Sequence, residues 1–187
     1  MKRRDFLKTS TAGLTVGIGS LALPRITYGT EETEKSKIEP KELSQIAHKH
    51  FIEGKRTCCE SILLAGCEAL GIKSDLIPDI ALGLAGGIGR QGDVCGVLTG
   101  SAMVLSLAFA AKETAYNKKK TRTLQAVGRV YNQFKQQFGH TDCRTLSSID
   151  LTNPEDRKKL GAGVRATKCA NFVKTGAEIL AEELQKI

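Results

Sequence analysis

The sequence contains six cysteines but no C-x-x-C pair. This absence excludes the common zinc-ribbon, thioredoxin-like and c-type haem motifs, each of which uses two cysteines at that spacing. Tryptophan is also absent, and no aromatic residue is interleaved with the basic run at residues 118–122. Surfaces that bind nucleic acid usually combine basic and aromatic side chains. We therefore interpret this run as a solvent-exposed basic loop and predict no nucleic-acid partner.

The chain also lacks a strongly apolar run of about 20 residues, the length that crosses a membrane. The nearest approach is residues 94–111, which carry no charge but include Gly96, Gly100 and Ser106. These small residues dilute the hydrophobicity and would allow a neighbouring helix to approach closely. We therefore predict that this stretch is the central buried helix of a bundle rather than a membrane span.

The N-terminus has the pattern of an export signal. Four basic residues within positions 2–8 precede an uncharged stretch from Thr9 to Leu23, and Pro24 follows. This order is typical of a signal peptide. Residues 3–8, RRDFLK, resemble the twin-arginine pattern R-R-x-F-L-K. We predict that residues 1–29 are a twin-arginine signal, and that the protein is exported to a periplasmic or extracytoplasmic location.

The charge of the chain agrees with this interpretation. Residues 1–29 hold five basic residues and one acidic residue, and so carry half of the net charge of +8. The remaining charge says little about partners. We predict cleavage near Gly29, whereas an uncleaved signal would tether the protein to the membrane.

Helical spacing recurs after a polar linker at residues 30–40, and no sustained alternation of polar and apolar residues predicts a strand. A capping box, Thr57 with Glu60, predicts the start of one helix. Helices are predicted at residues 40–52, 57–70, 95–112, 124–138 and 170–185, with a shorter one that begins near residues 74–78. The predicted fold class is all-α: a single-domain helical bundle over residues 41–187, with a central apolar helix and a glycine-rich loop.

Four of the six cysteines are predicted to begin helices: Cys58, Cys95, Cys143 and Cys169. Unpaired N–H groups and the helix dipole stabilise negative charge at such positions. We therefore expect lowered thiol pKa values there, which favour a thiolate as nucleophile or metal ligand. We interpret Cys59 and Cys67 as packing residues. The alternative is that all six cysteines are buried core residues, since free cysteine is among the most buried residue types.

The glycine-rich loop contains a formal G-x-G-x-x-G pattern at residues 87–92. A dinucleotide fold needs this pattern between a strand and a helix, and here a helical segment precedes it. We therefore predict no nucleotide site. Glycines also allow backbone N–H groups to approach sulfur atoms or an anionic cluster. The candidate cofactor-binding glycines are Gly86, Gly87, Gly89 and Gly96.

The loop and the cysteines together resemble the signature of the C-GCAxxG-C-C family of redox-active proteins. Residues 86–90, GGIGR, lead to residues 95–100, CGVLTG, in which Val97 stands where the family pattern has alanine. We expect this valine only to tighten helix packing. The other cysteines of the family pattern match Cys58 with Ser61, Cys143 within residues 138–146, and Cys169.

Family members resemble part of the split-Soret cytochromes, which combine haem with an iron–sulfur centre. This chain has no C-x-x-C-H motif, so covalent haem is not implied. The resemblance implies that the four matched cysteines ligate one iron–sulfur cluster, with the glycine loop and the helix N-termini donating hydrogen bonds to its sulfurs. Because the sequence shows no substrate pocket, we expect electron transfer with an unidentified redox partner rather than a turnover reaction. The twin-arginine resemblance implies that the protein is exported already folded. No catalytic residue is predicted.

Two other functions stay open at this point. Two of the four thiols could cycle in a thiol–disulfide oxidoreductase, although no C-x-x-C pair or clear resolving cysteine is present. The chain could also be a non-enzymatic metal-binding module assisted by His48, His50 or His140, although a lone histidine near a helix end is usually a solvated or capping residue. A homodimer also stays open.

Overall fold

The computed structural model describes residues 26–28 and 38–187. Most of the predicted export signal and linker, residues 1–25 and 29–37, lies outside the described residues. The elements in chain order are β1 (Thr27–Tyr28), α1 (Pro40–Ile52), α2 (Cys58–Ala69), β2 (Ile72–Lys73), a 3₁₀ helix (Asp79–Leu84), α3 (Gly96–Lys112), α4 (Tyr116–Phe138), α5 (Cys143–Ser147), α6 (Pro154–Lys159), a π-helical segment (Leu160–Cys169) and α7 (Ala170–Leu184).

The predicted all-α fold is confirmed. The two strands have two residues each and pair antiparallel, with Thr27 opposite Lys73. The uncharged stretch forms α3, which contacts α2, α4 and α7 and buries Val97, Val104 and Leu105 completely. It is therefore the central helix that the sequence predicts. Among the described residues, no helix combines the length and the apolar character needed to cross a membrane.

The helix ends follow the capping signals in the sequence. The Thr57 hydroxyl accepts a hydrogen bond from the backbone N–H of Glu60, and the Glu60 carboxylate accepts one from the N–H of Thr57. Gly139 ends α4 in the left-handed conformation, at a φ of 77°, which glycine adopts without a steric penalty. In α1, the buried residues Leu43, Ala47 and Phe51 recur every four positions and pack against α7.

One sequence prediction about the bundle is wrong. Residues 118–122 are not a loop, because α4 begins at Tyr116 and includes them. Lysine and arginine are good helix formers. In addition, Glu113, which lies just before the helix, forms ion pairs with Lys118 and Arg122. The Glu113 side chain is 8% exposed, so this carboxylate partly neutralises the basic turn.

The substitution of valine for the family's alanine is accommodated by a glycine on a neighbouring helix. Val97 of α3 is fully buried, and a Cβ atom added to Gly176 of α7 would overlap its Cγ1. The extra volume at Val97 therefore occupies the space that the absent side chain of Gly176 leaves. This contact sets how closely α7 lies on the central helix.

We expect Gly176→Ala to destabilise the protein in the wild-type background and to stabilise it when Val97 is alanine. Overpacking costs about 1–3 kcal/mol, whereas alanine gains about 1 kcal/mol over glycine in a helix interior. Urea unfolding of the four proteins in this double-mutant cycle measures the two effects. Additive changes in the free energy of unfolding would contradict the contact.

Candidate functional site

The four matched cysteines lie in different segments, and the first two are joined by the contact between α2 and α3. Cys58 is the first residue of α2, and Cys95 directly precedes α3. A Cβ atom on Gly96 would lie 2.9 Å from the backbone nitrogen of Cys59 and 3.1 Å from Cys58 Cβ. Only glycine therefore lets the start of α3 rest against the start of α2. This contact places Cys95 beside Cys58.

The third cysteine is brought to the same place by a short antiparallel pairing. The backbone N–H of Cys95 donates to the carbonyl of Thr141 at 2.8 Å, and the N–H of Cys143 donates to that of Asp93 at 2.7 Å. The Asp142 carboxylate then accepts from the N–H of Thr145 at 2.7 Å and caps α5. Cys143 therefore begins a helix, as the sequence predicts.

The prediction that Cys169 begins a helix is wrong. Its backbone is helical, with φ −64° and ψ −35°, because the π-helical segment continues directly into α7. No free helix N-terminus exists at this residue to stabilise an anion. The pKa of the Cys169 thiol is lowered instead by the Cys58 thiol first, and then by the charges of Arg165 and Lys168.

The glycine-rich loop forms a left-handed turn. All five residues from Gly86 to Arg90 have positive φ, including Ile88 at 56° and Arg90 at 68°. Side chains other than glycine adopt this region at a cost. The N–H of Gly89 donates to the carbonyl of Gly83, and that of Arg90 to Ala85. These two N–H groups are therefore used within the loop rather than by sulfur atoms.

The cysteines and the loop surround one pocket of about 670 Å³. Cys95 is not part of its lining but adjoins it through Gly96. The lining includes three of the cysteines, three glycines, three arginines and four large apolar side chains. They are Cys58, Cys143 and Cys169; Gly86, Gly89 and Gly96; Arg90, Arg157 and Arg165; and Phe51, Leu82, Leu151 and Leu160. Gly87 does not line the pocket, because it packs against the backbone of Asp93. Three of the four candidate cysteines and three of the four candidate glycines therefore meet at this pocket.

The thiol pKa values differ from the sequence expectation. Burial raises the pKa of Cys95 to about 12 and that of Cys143 to about 11. A hydrogen bond with the Cys169 thiol, then burial and the neighbouring thiols, raise the pKa of Cys58 well above its usual range. Only the pKa of Cys169 is lowered, first by the Cys58 thiol and then by the nearby cations. At the other three thiols, a position at the start of a helix is therefore not enough to lower the pKa against burial and the neighbouring thiols.

Cys59 and Cys67 are buried, as expected for packing residues. Cys59 also has a role that sequence reasoning missed. Its thiol donates to the carbonyl of Ala81 at 3.0 Å and lies 3.2 Å from the hydroxyl of Thr57. It thereby fixes the 3₁₀ helix to the start of α2. A cysteine adjacent to a ligand candidate carries no sequence signal for such a bond.

The histidines are not gathered with the thiols. His50 contacts Glu68 at 2.8 Å, and neither His48 nor His140 lines the pocket. Over residues 26–28 and 38–187, no three histidine, cysteine or acidic side chains are close enough together to hold a single metal ion. The arginines of the pocket were also missed, and only Arg90 had a signal, through the GGIGR motif.

The fold and the site define a small helical protein in which three dispersed, free cysteines line one pocket and a fourth, Cys95, adjoins it. The family model described as "Putative redox-active protein (C_GCAxxG_C_C)" matches residues 56–183, and the chain belongs to this family. The family description supports a redox role for the chain. An uncharacterized protein from Archaeoglobus fulgidus is 29% identical over 164 residues, which cover 83% of this chain and 97% of that protein. No solved structure is significantly similar to this chain.

Proposed function

We propose that this protein is an exported electron-transfer protein in which Cys58, Cys95, Cys143 and Cys169 hold one iron–sulfur cluster. The observation that carries the proposal is that three of these free thiols, Cys58, Cys143 and Cys169, line one pocket, while the fourth, Cys95, adjoins it through Gly96. Four cysteine ligands are the usual set for [2Fe–2S] and [4Fe–4S] clusters. Thiols that served only to fill the core would not need the glycine contact or the paired segments that bring them together.

The redox role that the family description supports favours a cluster over a single zinc ion. Four cysteines also ligate structural zinc, but zinc has no redox chemistry of its own. A cluster supplies that chemistry and distributes its thiolate ligands over two or four iron atoms. The raised thiol pKa values are compatible with metal binding, because a buried thiol keeps its proton until a metal binds and displaces it.

The residues around the thiols have defined roles in this proposal. The backbone N–H of Val97 donates to the Cys95 sulfur and stabilises its thiolate, although burial outweighs this effect in the free thiol. Arg165 and Lys168 stabilise the Cys169 thiolate. A bound cluster would supply one-electron chemistry, with a potential set by such hydrogen bonds, charges and burial. Electrons would pass to an unidentified redox partner.

Export is part of the proposal through the twin-arginine resemblance of residues 3–8, which lie outside the described residues. That route carries folded proteins, often with a metal centre already inserted, so a cluster would be acquired before export. If the signal is not cleaved, the protein stays tethered to the membrane.

The test is anaerobic purification of the protein from a host with an active export pathway, followed by visible absorption, iron and acid-labile sulfide measurements. We expect a coloured protein with iron and sulfide in similar amounts. A colourless, iron-free protein whose cysteines titrate as disulfides would contradict the cluster.

A second candidate function is favoured by the direct interaction between Cys58 and Cys169. The Cys169 pKa is lowered by the Cys58 thiol, which is the arrangement of a nucleophile beside a resolving cysteine. The Cys169 thiolate would attack a substrate disulfide and form a mixed disulfide. Cys58 would then release the reduced substrate and leave a Cys58–Cys169 disulfide. In that case Cys58→Ser would accumulate the mixed disulfide, which mass spectrometry without reductant detects.

A further inference from the structure

The pocket beside the thiols carries a positive charge that no carboxylate in the described part of the chain neutralises. Arg90, Arg157 and Arg165 line it, and no acidic residue does. Within the described ranges, none of the three forms an ion pair with a carboxylate. Guanidinium groups that are partly removed from water usually have an anionic partner.

Two of these arginines are fixed in place by carbonyl groups and keep donors unused. Arg157 donates through Nη1 alone, to the carbonyls of Leu151 and Thr152 at 3.1 and 3.3 Å. Arg165 donates through Nη2 alone, to the carbonyls of Phe51 and Arg56, and stacks 3.9 Å above the Phe51 ring. A guanidinium has five N–H donors. The Nε and one terminal nitrogen of each side chain therefore have no protein acceptor in the described residues.

The third arginine stands at the mouth of the pocket. Arg90 is exposed and follows the left-handed turn of the glycine loop. Its position is held by the loop backbone, because its N–H donates to Ala85. The strained backbone thus presents a cation where a ligand would enter, while the other two arginines lie half-buried in the wall.

Apart from the arginines, the thiols and the hydroxyls of Thr57 and Ser147, the side chains of the lining are apolar, and the pocket has the size of a small-molecule site. Phe51, Leu82, Leu151 and Leu160 contribute side chains to it. The volume of about 670 Å³ falls within the range of about 300–1,000 Å³ that is typical of small-molecule sites. Apolar walls with a few fixed cations suit a ligand that has both an apolar body and an anionic group.

We propose that this pocket binds an amphipathic organic anion, a carboxylate or a phosphate monoester, whose charged group pairs with the arginines and whose apolar body contacts the leucines and Phe51. The proposal that the anion binds depends only on the pocket and its lining residues. That the anion binds beside the redox centre rests on the function proposed above, because Cys58, Cys143 and Cys169 line the same pocket.

Isothermal titration of the purified protein with benzoate and with phenyl phosphate tests the proposal, and neutral benzyl alcohol is the matched probe without charge. We expect at least one anion to bind with a Kd of about 1 mM or below. Arg157→Gln and Arg90→Gln should each weaken that binding about tenfold. Lys120→Gln removes the same charge at an exposed position of α4, outside the pocket lining, and should leave the Kd unchanged.

The controls separate this proposal from the cluster. Cys95→Ser lacks a ligand candidate that does not line the pocket, so anion binding should persist in it even if colour and iron are lost. Failure of both anions to bind the wild-type protein would overturn the proposal, as would equal binding of benzyl alcohol or full binding by both arginine variants. If the arginines only balance the charge of a bound cluster, neither anion binds, and Arg157→Gln instead lowers the iron content.

Discussion

Replacing Cys95 with serine should abolish the visible absorption and the bound iron, whereas replacing Cys67 with alanine should leave both nearly unchanged. Both cysteines are buried, so burial does not distinguish them. Cys95 precedes α3 at the contact with Cys58, and the neighbouring N–H of Val97 acts to lower the pKa of its thiol, against the larger effect of burial. Cys67 lies within α2 and does not line the pocket.

The measurement is iron and acid-labile sulfide per protein after anaerobic purification of the two variants in parallel. Far-UV circular dichroism of each variant shows whether the bundle has folded. A folded Cys95→Ser protein that retains wild-type iron would contradict the proposed ligand set. A folded Cys67→Ala protein that loses its iron would contradict the packing role of Cys67.

Gly100, in the second turn of α3, should also be needed to assemble the site. A Cβ atom on Gly100 would lie 2.8 Å from the carbonyl oxygen of Cys59 and 2.9 Å from Ile62 Cβ. Gly100→Ala should therefore cost about 1–3 kcal/mol through overpacking, which exceeds the gain of about 1 kcal/mol in helix propensity. It should also move the start of α3 away from Cys58 and lower the iron content.

Gly128 provides the matched control, since it lies inside α4 with no atom within 4 Å of an added Cβ. Gly128→Ala should stabilise the protein by up to about 1 kcal/mol and leave the iron content unchanged. Urea unfolding of the metal-free proteins measures the free energies without a contribution from the cluster. A Gly100→Ala variant as stable as Gly128→Ala would show that the two helices do not need this close approach.

Local signals in the sequence predict most of the helices and their ends. The capping box at Thr57, the cap at Asp142 and the stop at Gly139 are each made by residues within a few positions of one another. Such interactions form wherever the local chain is helical, so no distant contact is needed to predict them. The prediction that the four cysteines act together depends instead on the family resemblance, because no local rule connects residues so far apart in the chain.

The errors concern features that residue type and spacing do not show. Residues 118–122 contain no acidic residue, and their ion pairs with Glu113 are visible only in the structure. The π-helical segment before Cys169, with a break at Gly163, has no simple periodicity, so the sequence places the start of the helix at Cys169. Helix position is visible in the sequence and burial is not, so the sequence predicts lowered thiol pKa values.

Residue type and spacing are enough to predict an all-α chain, its caps and four cysteines that match a family signature. That Cys58, Cys143 and Cys169 share a pocket with Arg90, Arg157 and Arg165 is visible only once the helices are packed. The same is true of the thiol pKa values, since burial raises those of Cys95 and Cys143, and the Cys169 thiol and burial raise that of Cys58. The reason is that charge interactions and burial depend on distances in space, and residues more than 100 positions apart in the chain become neighbours only when the helices pack.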